Sequence, residues 1–304
     1  MSIFIKLKKK YLRFLSKEKI YSKSMSMHVR NLKEIYIPMA FWINKQYLKK
    51  EKTLFLGLSA SQGSGKTTVA KILKIILKHL FKRNVFVVSI DDFYKTFADR
   101  NKMAKQKHSL FKTRGVPGTH DTNLIKLFFQ SLKRKKFKKV KIPKFDKSID
   151  DRLKKNKWHI INKRPEIVIF EGWCVGAKAG TNFSLKKPIN NLEKYEDKKL
   201  IWRKFVNQKL KNEYKNIFSF LDYYIFMKVP NFKMVLKWRQ SQEVKLKKNN
   251  QIRKKIMTYK EIKRFVMFYQ RITLQMVKDL SKSAAVVMLL NKNHQVKKVL
   301  YRDK

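Results

Sequence analysis

The chain has few of the residues that cross-link a fold or interrupt regular structure: among its 304 residues are one cysteine, six prolines and eight glycines. The single cysteine, Cys174, cannot form an internal disulfide, and no spacing of cysteine and histidine typical of a metal site occurs. A reducing compartment, the cytoplasm, is therefore the expected location. The sequence also shows no low-complexity linker and no internal repeat.

Long hydrophobic runs are also lacking. No apolar run approaches the ~18 to 20 residues that a membrane-spanning helix needs, and the N-terminus lacks the apolar stretch and cleavage site of a signal peptide. Residues 1–20 are instead basic, with apolar residues such as Leu7 and Tyr11 at helical spacing. We predict a solvated helix packed on the protein, with loose association with an anionic surface as the alternative. We therefore divide the chain into a basic N-terminal helical extension, residues 1–35, and one domain, residues 36–304.

Acidic residues are scarce: 21 of them face 75 basic residues, so the formal net charge is +54. Nucleic acid is the first partner to consider for such a charge, because clustered basic residues release counterions from a phosphate backbone. However, only 14 of the basic residues are arginine, and the lysines are spread through every segment instead of forming a patch or tail. This pattern indicates a compositional bias more than a binding device, so nucleic acid is kept as an alternative partner.

What is abundant is hydrophobic sequence, 43% of the chain, arranged in short runs between amphipathic segments. Runs rich in β-branched and aromatic residues predict five buried strands, at 53–58, 85–90, 167–170, 223–229 and 284–290. Helical periodicity predicts helices at 69–80 and around 121–133, 193–218, 232–247 and 258–280. This alternation implies βαβ crossovers, so the predicted fold class is α/β, a three-layer sandwich with a mostly parallel sheet flanked by helices. Ligands of such sheets bind outside the carboxyl ends of the strands.

A glycine-rich loop, residues 60–67 with the sequence Ala-Ser-Gln-Gly-Ser-Gly-Lys-Thr, follows the first predicted strand and leads into a helix. Strand, loop, Lys-Thr and helix occur in the order that a phosphate-binding P-loop requires. Gly63 and Gly65 would let backbone N–H groups turn toward phosphates, Lys66 would reach the terminal phosphates, and Thr67 would offer its hydroxyl to Mg²⁺. The loop therefore predicts binding of Mg-ATP. The predicted nucleotide-binding residues are Ser61, Gln62, Gly63, Ser64, Gly65, Lys66, Thr67 and Thr68.

Carboxylates follow the second and third predicted strands. Asp91 is placed to accept the proton of an attacking hydroxyl group or to order Mg²⁺, with capping of the next helix as the alternative role. Glu171 follows the strand at 167–170 and resembles the carboxylate of a Walker B strand. It would bind Mg²⁺ directly or through water, or form a structural bond to a P-loop serine or threonine. These two roles of Glu171 are compatible.

Two polar segments, residues 114–121 and 143–148, carry candidates for binding an anionic acceptor, and the first has the composition of a rigid loop. Arginine is favoured at such a site because its guanidinium group matches a carboxylate bidentately. His120 is either a loop histidine with a structural role or a substrate contact. Arg239, on a predicted helix, would close over the ATP phosphates from a lid. The candidates for acceptor binding are Asp91, Tyr94, Arg114, His120, Lys144 and Arg152.

Taken together, these segments resemble the D-glycerate 3-kinase family, a branch of the P-loop kinases that also includes uridine kinase, phosphoribulokinase and pantothenate kinase. The resemblance covers about residues 36–290. Ala60 fits it, because Ala-x-Gln-Gly is common at the P-loop of this branch. Arg-Gly-x-x-Gly-Thr-His-Asp and Glu-Gly-Trp are the segments that point to this branch in particular. The matching segments are 36–40, 57–68, 89–96, 114–121, 143–148, 151–152, 170–176 and 238–243.

The resemblance implies ATP-dependent phosphorylation of the 3-hydroxyl group of D-glycerate, which gives 3-phosphoglycerate. By position, Asp91 corresponds to the catalytic aspartate of uridine and pantothenate kinases. Two alternatives stay open: a kinase of another hydroxyl acceptor, such as a nucleoside, pantothenate or another hydroxy acid, and a nucleic-acid-associated NTPase. In the proposed mechanism Thr67 and Glu171 organise Mg²⁺. The expected catalytic residues are Lys66, Asp91, Glu171 and Arg239.

Overall fold

The computed structural model describes residues 2–20, 24–50, 52–248 and 257–302. Its strands in chain order are β1 (Leu54–Ala60), β2 (Val85–Ser89), β3 (Val140–Ile142), β4 (Phe145–Asp146), β5 (Asp151–Arg152), β6 (His159–Ile161), β7 (Ile167–Gly172), β8 (Tyr223–Lys228), β9 (Val286–Leu290) and β10 (Val296–Tyr301). Its α-helices are α1 (Ile3–Lys17), α2 (Met25–Asn31), α3 (Ile37–Lys50), α4 (Lys66–Phe81), α5 (Phe97–Gln106), α6 (Thr122–Lys133), α7 (Asn182–Lys186), α8 (Ile201–Lys209), α9 (Lys215–Phe218), α10 (Phe232–Lys248) and α11 (Tyr259–Ser283). In the ranges described, no helix combines the length and the apolar composition needed to cross a bilayer.

Six strands form one sheet, in the order β10-β9-β8-β1-β7-β2. Neighbouring strands are parallel except for β10, which pairs antiparallel with β9 at one edge. The five strands and the mostly parallel sheet expected from the sequence are confirmed. The sequence does not predict β10, because two adjacent lysines break the alternation of apolar and polar residues. The register shifts at this point, between Val296 and Lys298.

Helices cover both faces of the sheet, so the three-layer α/β sandwich is confirmed. Successive side chains of a strand point to opposite faces, and β1 accordingly buries Phe55 in one core and Leu56 in another. The core around Phe55 includes residues of α6, α8 and α11, whereas that around Leu56 includes residues of α1, α3 and α4. Every residue of β1 is buried, which explains why its sequence is nearly all apolar.

The N-terminal helix α1 packs on α4. Its side chains Leu7, Tyr11 and Leu15 are buried in the same core as the apolar side of α4. Lys71 on α4 donates a hydrogen bond to Glu18, just beyond the end of α1, at 2.9 Å. The amphipathic spacing predicts this helix, and its apolar side turns toward the protein. The division of the chain at residue 35 stays a prediction.

Two small antiparallel pairs, β3 with β6 and β4 with β5, lie outside the main sheet. The β4–β5 hairpin is docked on the segment that follows β2. Asp151 Oδ1 accepts a hydrogen bond from Phe97 N at 2.9 Å, and Arg152 donates to the Tyr94 carbonyl at 2.7 and 3.1 Å. These contacts bring the tip of the hairpin, residues 147–150, to the edge of the sheet where β1, β7 and β2 end.

Candidate active site

The loop between β1 and α4 has the backbone of a phosphate-binding P-loop. Gly63 and Gly65 have φ angles of +78° and +86°, in the left-handed region that residues with a Cβ seldom adopt. Gly65 precedes α4, so the unpaired N–H groups of that helix's first turn lie at the loop. Ser64 Oγ donates to the Ser61 carbonyl at 2.6 Å and closes the turn. Ala60 is the last residue of β1, where extended backbone suits alanine as well as glycine.

Glu171, at the end of β7, lies beside the P-loop because β7 is the neighbour of β1. Thr67 Oγ1 donates to Glu171 Oε1 at 2.7 Å, so the structural bond expected for this glutamate is present. The residue is 2% exposed, and its Oε2 has no hydrogen-bond partner among the described residues. A buried carboxylate oxygen without a partner is costly, and Mg²⁺ prefers oxygen ligands of this kind. Thr67 and Glu171 therefore fit a Mg²⁺ ion.

A cleft of about 780 Å³ opens at this edge of the sheet, within the range of small-molecule sites. The P-loop contributes Gln62, Gly63, Lys66 and Thr67 to its wall. Both polar side-chain atoms of Gln62 are buried without a hydrogen-bond partner in the part of the chain described. Unsatisfied polar atoms at a phosphate-binding loop are consistent with a site that a nucleotide completes.

Asp91 lies in this cleft, in the 3₁₀ turn Ile90–Phe93 that follows β2. Its Oδ1 accepts a hydrogen bond from the Tyr94 hydroxyl at 2.9 Å, and its Oδ2 accepts one from Lys147 Nζ at 2.5 Å. Burial alone would raise the pKa of Asp91, but the positive charges of Lys147 and Lys66 outweigh burial and hold that pKa well below its usual range. Asp91 is therefore ionised at neutral pH and can accept a proton.

Asp92, the next residue, lies outside the cleft wall and is partly buried. Its Oδ1 accepts a hydrogen bond from Phe145 N on β4 at 3.5 Å. Burial raises the pKa of Asp92 from its ordinary value of 3.8 to about 6, and the charge of Asp91 adds to the rise. The two adjacent carboxyl groups thus have pKa values shifted in opposite directions, and Asp91 is the one that stays ionised when the pH falls below about 6.

The Asp92→Asn variant is expected to be more stable than the wild type at pH 8 and nearly unchanged in stability at pH 4. A carboxyl group with a raised pKa contributes stability fully below its unfolded value of 3.8 and loses it as the pH rises through about 6. A tenfold change in proton affinity corresponds to about 1.4 kcal/mol, so we expect a gain of roughly 1 to 3 kcal/mol at pH 8. Urea denaturation of both proteins at both pH values measures this difference in the free energy of unfolding. An equal difference at pH 4 and pH 8 would contradict the prediction.

His120 is fully buried behind Tyr94 and does not line the cleft. The two rings stack with centroids 4.5 Å apart, and His120 Nδ1 lies 2.6 Å from the Tyr214 hydroxyl. Burial lowers the pKa of His120 to about 4 despite the opposing effect of Asp91, so the ring is neutral at pH 7. Of the two roles expected for this histidine, the geometry fits the structural one, in which it supports Tyr94.

Of the three basic residues predicted to bind the acceptor, Arg114, Lys144 and Arg152, the structure places one in the cleft wall. That residue is Arg114, which forms an ion pair with Asp150. Arg152 is directed elsewhere: its guanidinium group binds Asp121 at 3.3 Å and holds the β4–β5 hairpin through the backbone contact described above. Lys144 is exposed and lies outside the wall.

Arg239, on α10, lies in the cleft wall next to the P-loop. It forms an ion pair with Glu243 one helical turn further on, and its guanidinium carbon lies 5.4 Å from the centroid of the Phe265 ring on α11. A Cβ atom placed on Gly63 would be 3.5 Å from Arg239 N. The backbone of α10 therefore covers the P-loop, which is the position expected for a lid.

A second cavity, of about 470 Å³, lies between α7, α8 and α11. Its two arginines are already paired, Arg203 with Asp197 at 2.9 Å and Arg271 with Glu193 at 2.6 Å. None of the P-loop residues or strand-end carboxylates lines this cavity. The P-loop residues and Asp91 line the larger cleft instead.

Comparison with known proteins agrees with this geometry. The pattern of the Phosphoribulokinase / Uridine kinase family matches residues 55–177, which include the P-loop, Asp91 and Glu171. The uncharacterized kinase mug58 of Schizosaccharomyces pombe is 33% identical over 217 residues, which are 68% of this chain and 76% of that protein. This chain belongs to the phosphoribulokinase and uridine kinase family. Membership supports an ATP-dependent phosphotransferase.

Two further comparisons concern glycerate kinases. This kinase is 28% identical over 251 residues to the chloroplastic D-glycerate 3-kinase of Arabidopsis thaliana, across 77% of this chain and 52% of that protein. The chain thus spans about half the length of that relative. The structure of D-glycerate 3-kinase from Cryptococcus neoformans var. grubii superposes with a TM-score of 0.73 at 21% identity, over 88% of this chain and 99% of that one. The superposition shows that the two proteins share a fold.

The residues of the cleft wall that the sequence did not single out include Lys147, Trp173 and Tyr269. Trp173 Nε1 donates to the Gly115 carbonyl at 2.9 Å and the Tyr269 hydroxyl to the Arg114 carbonyl at 3.1 Å, so the two aromatic residues hold the loop that carries Arg114. Two of these residues could have been found from the sequence, since Trp173 belongs to the Glu-Gly-Trp segment and Lys147 to the polar segment 143–148. No sequence feature indicates Tyr269 as a site residue, because it lies among the periodic apolar residues of a long helix.

Proposed function

We propose that this kinase transfers the γ-phosphoryl group of ATP to the 3-hydroxyl group of D-glycerate. The observation that carries the proposal is the positive charge around Asp91: Lys66, Lys147 and Arg114 all line the same cleft. Such a site attracts an acceptor that is itself an anion. The similarity to the Arabidopsis thaliana D-glycerate 3-kinase supports this choice of acceptor.

In the proposed reaction, the P-loop and Lys66 bind the β- and γ-phosphates, and Arg239 neutralises charge on the transferring group. The acceptor's hydroxyl oxygen forms a bond to the γ-phosphorus while the bond from that phosphorus to the bridging oxygen breaks. ADP leaves, and the proton of the hydroxyl group passes to Asp91. Thr67 and Glu171 would hold Mg²⁺, which, when bound, neutralises negative charge on the phosphates.

Aromatic side chains in the cleft wall also raise the question of a nucleoside acceptor. Trp173 and Tyr269 pack against each other edge to face, with centroids 4.8 Å apart, and both hold the backbone of residues 114–115. The Tyr94 ring stacks on His120. These three rings are occupied by contacts within the protein, so none of them offers a free stacking surface to a nucleobase, whereas a small anionic acceptor needs none.

A coupled assay of ADP release tests the proposal. Purified protein with Mg-ATP at moderate salt is offered D-glycerate, other short hydroxy acids, pantothenate, nucleosides and RNA in separate reactions. We expect ADP release to rise at least tenfold with D-glycerate and 3-phosphoglycerate to appear as the product. No response to D-glycerate would contradict the proposed acceptor, and a response to RNA that falls steeply with salt would favour the nucleic-acid-associated NTPase.

A further inference from the structure

Lys147 forms an ion pair with the proposed catalytic base, and the proposed reaction gives it no role of its own beyond adding to the positive charge of the cleft. Its Nζ is 2.5 Å from Asp91 Oδ2, and its side chain is 54% exposed and lines the cleft. An exposed lysine normally gains little from an ion pair. Here its ammonium group instead occupies the space next to the atom that would receive the acceptor's proton.

The position of Lys147 is imposed by the hairpin tip, residues 147–150. The carboxylate of Asp150 binds Arg114 and the fully buried Arg100, with Arg100 Nη1 at 3.2 Å from Asp150 Oδ2. At the other end of the tip, Ser148 N donates to Asp146 Oδ1 at 2.7 Å. The backbone on both sides of Lys147 is therefore anchored, so only the lysine side chain has to be ordered when its ammonium group binds a ligand in the cleft.

The pair between Lys147 and Asp91 leaves the lysine able to exchange one carboxylate for another. In the structure Asp91 supplies the negative partner. An acceptor that enters with its hydroxyl group toward Asp91 brings any neighbouring carboxylate into contact range of Lys147 as well. Exposure lets the long lysine side chain turn toward that group while the hairpin stays in place.

We propose that Lys147 binds the anionic group of the acceptor and thereby selects short hydroxy acids whose carboxylate lies one or two carbons from the reacting carbon. The inference rests on the proposed function and adds the residue that determines which acceptor is bound. Because Lys147 contacts the base itself, the anion that it binds has to lie close to the reacting hydroxyl group. D-glycerate satisfies this requirement, whereas pantothenate carries its carboxylate at the far end of the molecule and nucleosides carry none.

Lys147 differs in this respect from the other lysines of its segment. Lys144, three residues earlier, is exposed and lies outside the cleft wall. Lys155, in the 3₁₀ turn that follows the hairpin, is also exposed and outside the wall. These residues share the charge of Lys147 but not its position. Substituting a lysine outside the wall therefore shows how much of an effect comes from the loss of positive charge alone.

The test compares D-glycerate with D-glyceramide, a neutral analogue that replaces the carboxylate by an amide. We expect the wild type to prefer the acid in kcat/KM by roughly 10- to 100-fold, as one or two charge-assisted hydrogen bonds allow. In Lys147→Met this preference falls at least tenfold, mainly through KM for the acid. Lys147→Arg retains most of it, whereas Lys155→Met leaves the ratio within about threefold of the wild-type value.

Each outcome bears on a different claim. If the wild type phosphorylates D-glycerate but Lys147→Met keeps the preference for the acid, the role of Lys147 is wrong and the proposed function stands. If another short hydroxy acid is the working acceptor, the proposed function is wrong in its substrate, and the same ratio, measured with that acid and its amide, decides the role of Lys147. Acceptors that are all neutral, or that carry a remote anion, would overturn both. Equal thermal unfolding midpoints show that the variants are folded.

Discussion

Asp91→Asn is expected to lower kcat by ~10² to 10⁴ while the KM for ATP changes less than about threefold. The carboxylate is ionised, lies in the cleft with Lys66 and is positioned by the Tyr94 hydroxyl at 2.9 Å. Asparagine has nearly the same shape but cannot take the acceptor's proton, so the loss falls on the chemical step and not on nucleotide binding. Steady-state kinetics of ADP release with the working acceptor, at saturating ATP, measure the effect.

Asp92→Asn is the matched control for this experiment. It removes a carboxyl group one residue away, from a side chain outside the cleft wall. We expect kcat within about tenfold of the wild type, because the base itself is untouched. An Asp91→Asn enzyme that works at full speed, or a larger loss in Asp92→Asn than in Asp91→Asn, would show that the base has been misassigned.

Glu171→Gln is expected to lower kcat by ~10² to 10³ and to raise the Mg²⁺ concentration needed for half-maximal activity. The reason is the unpartnered Oε2 beside the P-loop threonine, which the substitution converts from a charged ligand into a neutral amide group. A readout besides activity is thermal unfolding. The wild type should gain several degrees when Mg-ATP is added and the variant much less, since at a fixed ligand concentration a tighter-binding ligand stabilises the folded state more.

Glu166→Gln provides the comparison, because Glu166 lies immediately before the same strand, β7, at its opposite end. Its carboxylate accepts hydrogen bonds from Arg83 Nη1 at 3.0 Å and from Asn84 N at 2.7 Å, away from the cleft. We expect a modest loss of stability and an unchanged Mg²⁺ requirement. If Glu171→Gln responds to Mg-ATP as the wild type does, Glu171 has only its structural bond to Thr67.

The donor half of the site could be predicted from the sequence because its chemistry is local. The turn from Gly63 to Thr67 is one contiguous segment whose residue types dictate its backbone. Asp91 and Glu171 needed only one additional step: each follows an apolar run, and neighbouring parallel strands of one sheet end at the same edge. Strand order was not predicted, but any order that keeps these strands adjacent gives the same cleft.

The acceptor half was harder to predict because it depends on contacts between segments far apart in the chain. Lys147 is one lysine among many, and only the docking of the hairpin on residues 94–97 distinguishes it. Arg152 has the side chain expected of an anion site, yet its guanidinium group donates hydrogen bonds to the Tyr94 carbonyl and to Asp121. His120 is polar and flanked by loop residues, but stacking and burial decide its place. Local composition cannot encode such pairings.

The packing of α1 on α4 has a consequence for the protein's synthesis. The apolar side of α1, with Leu7, Tyr11 and Leu15, is covered by a helix that ends at Phe81, more than sixty residues later in the chain. At ~5 to 20 residues per second, the ribosome takes several seconds to make that partner. During this interval the newly made α1 presents an uncovered apolar stripe among many lysines, and such transiently exposed apolar surface is prone to aggregation.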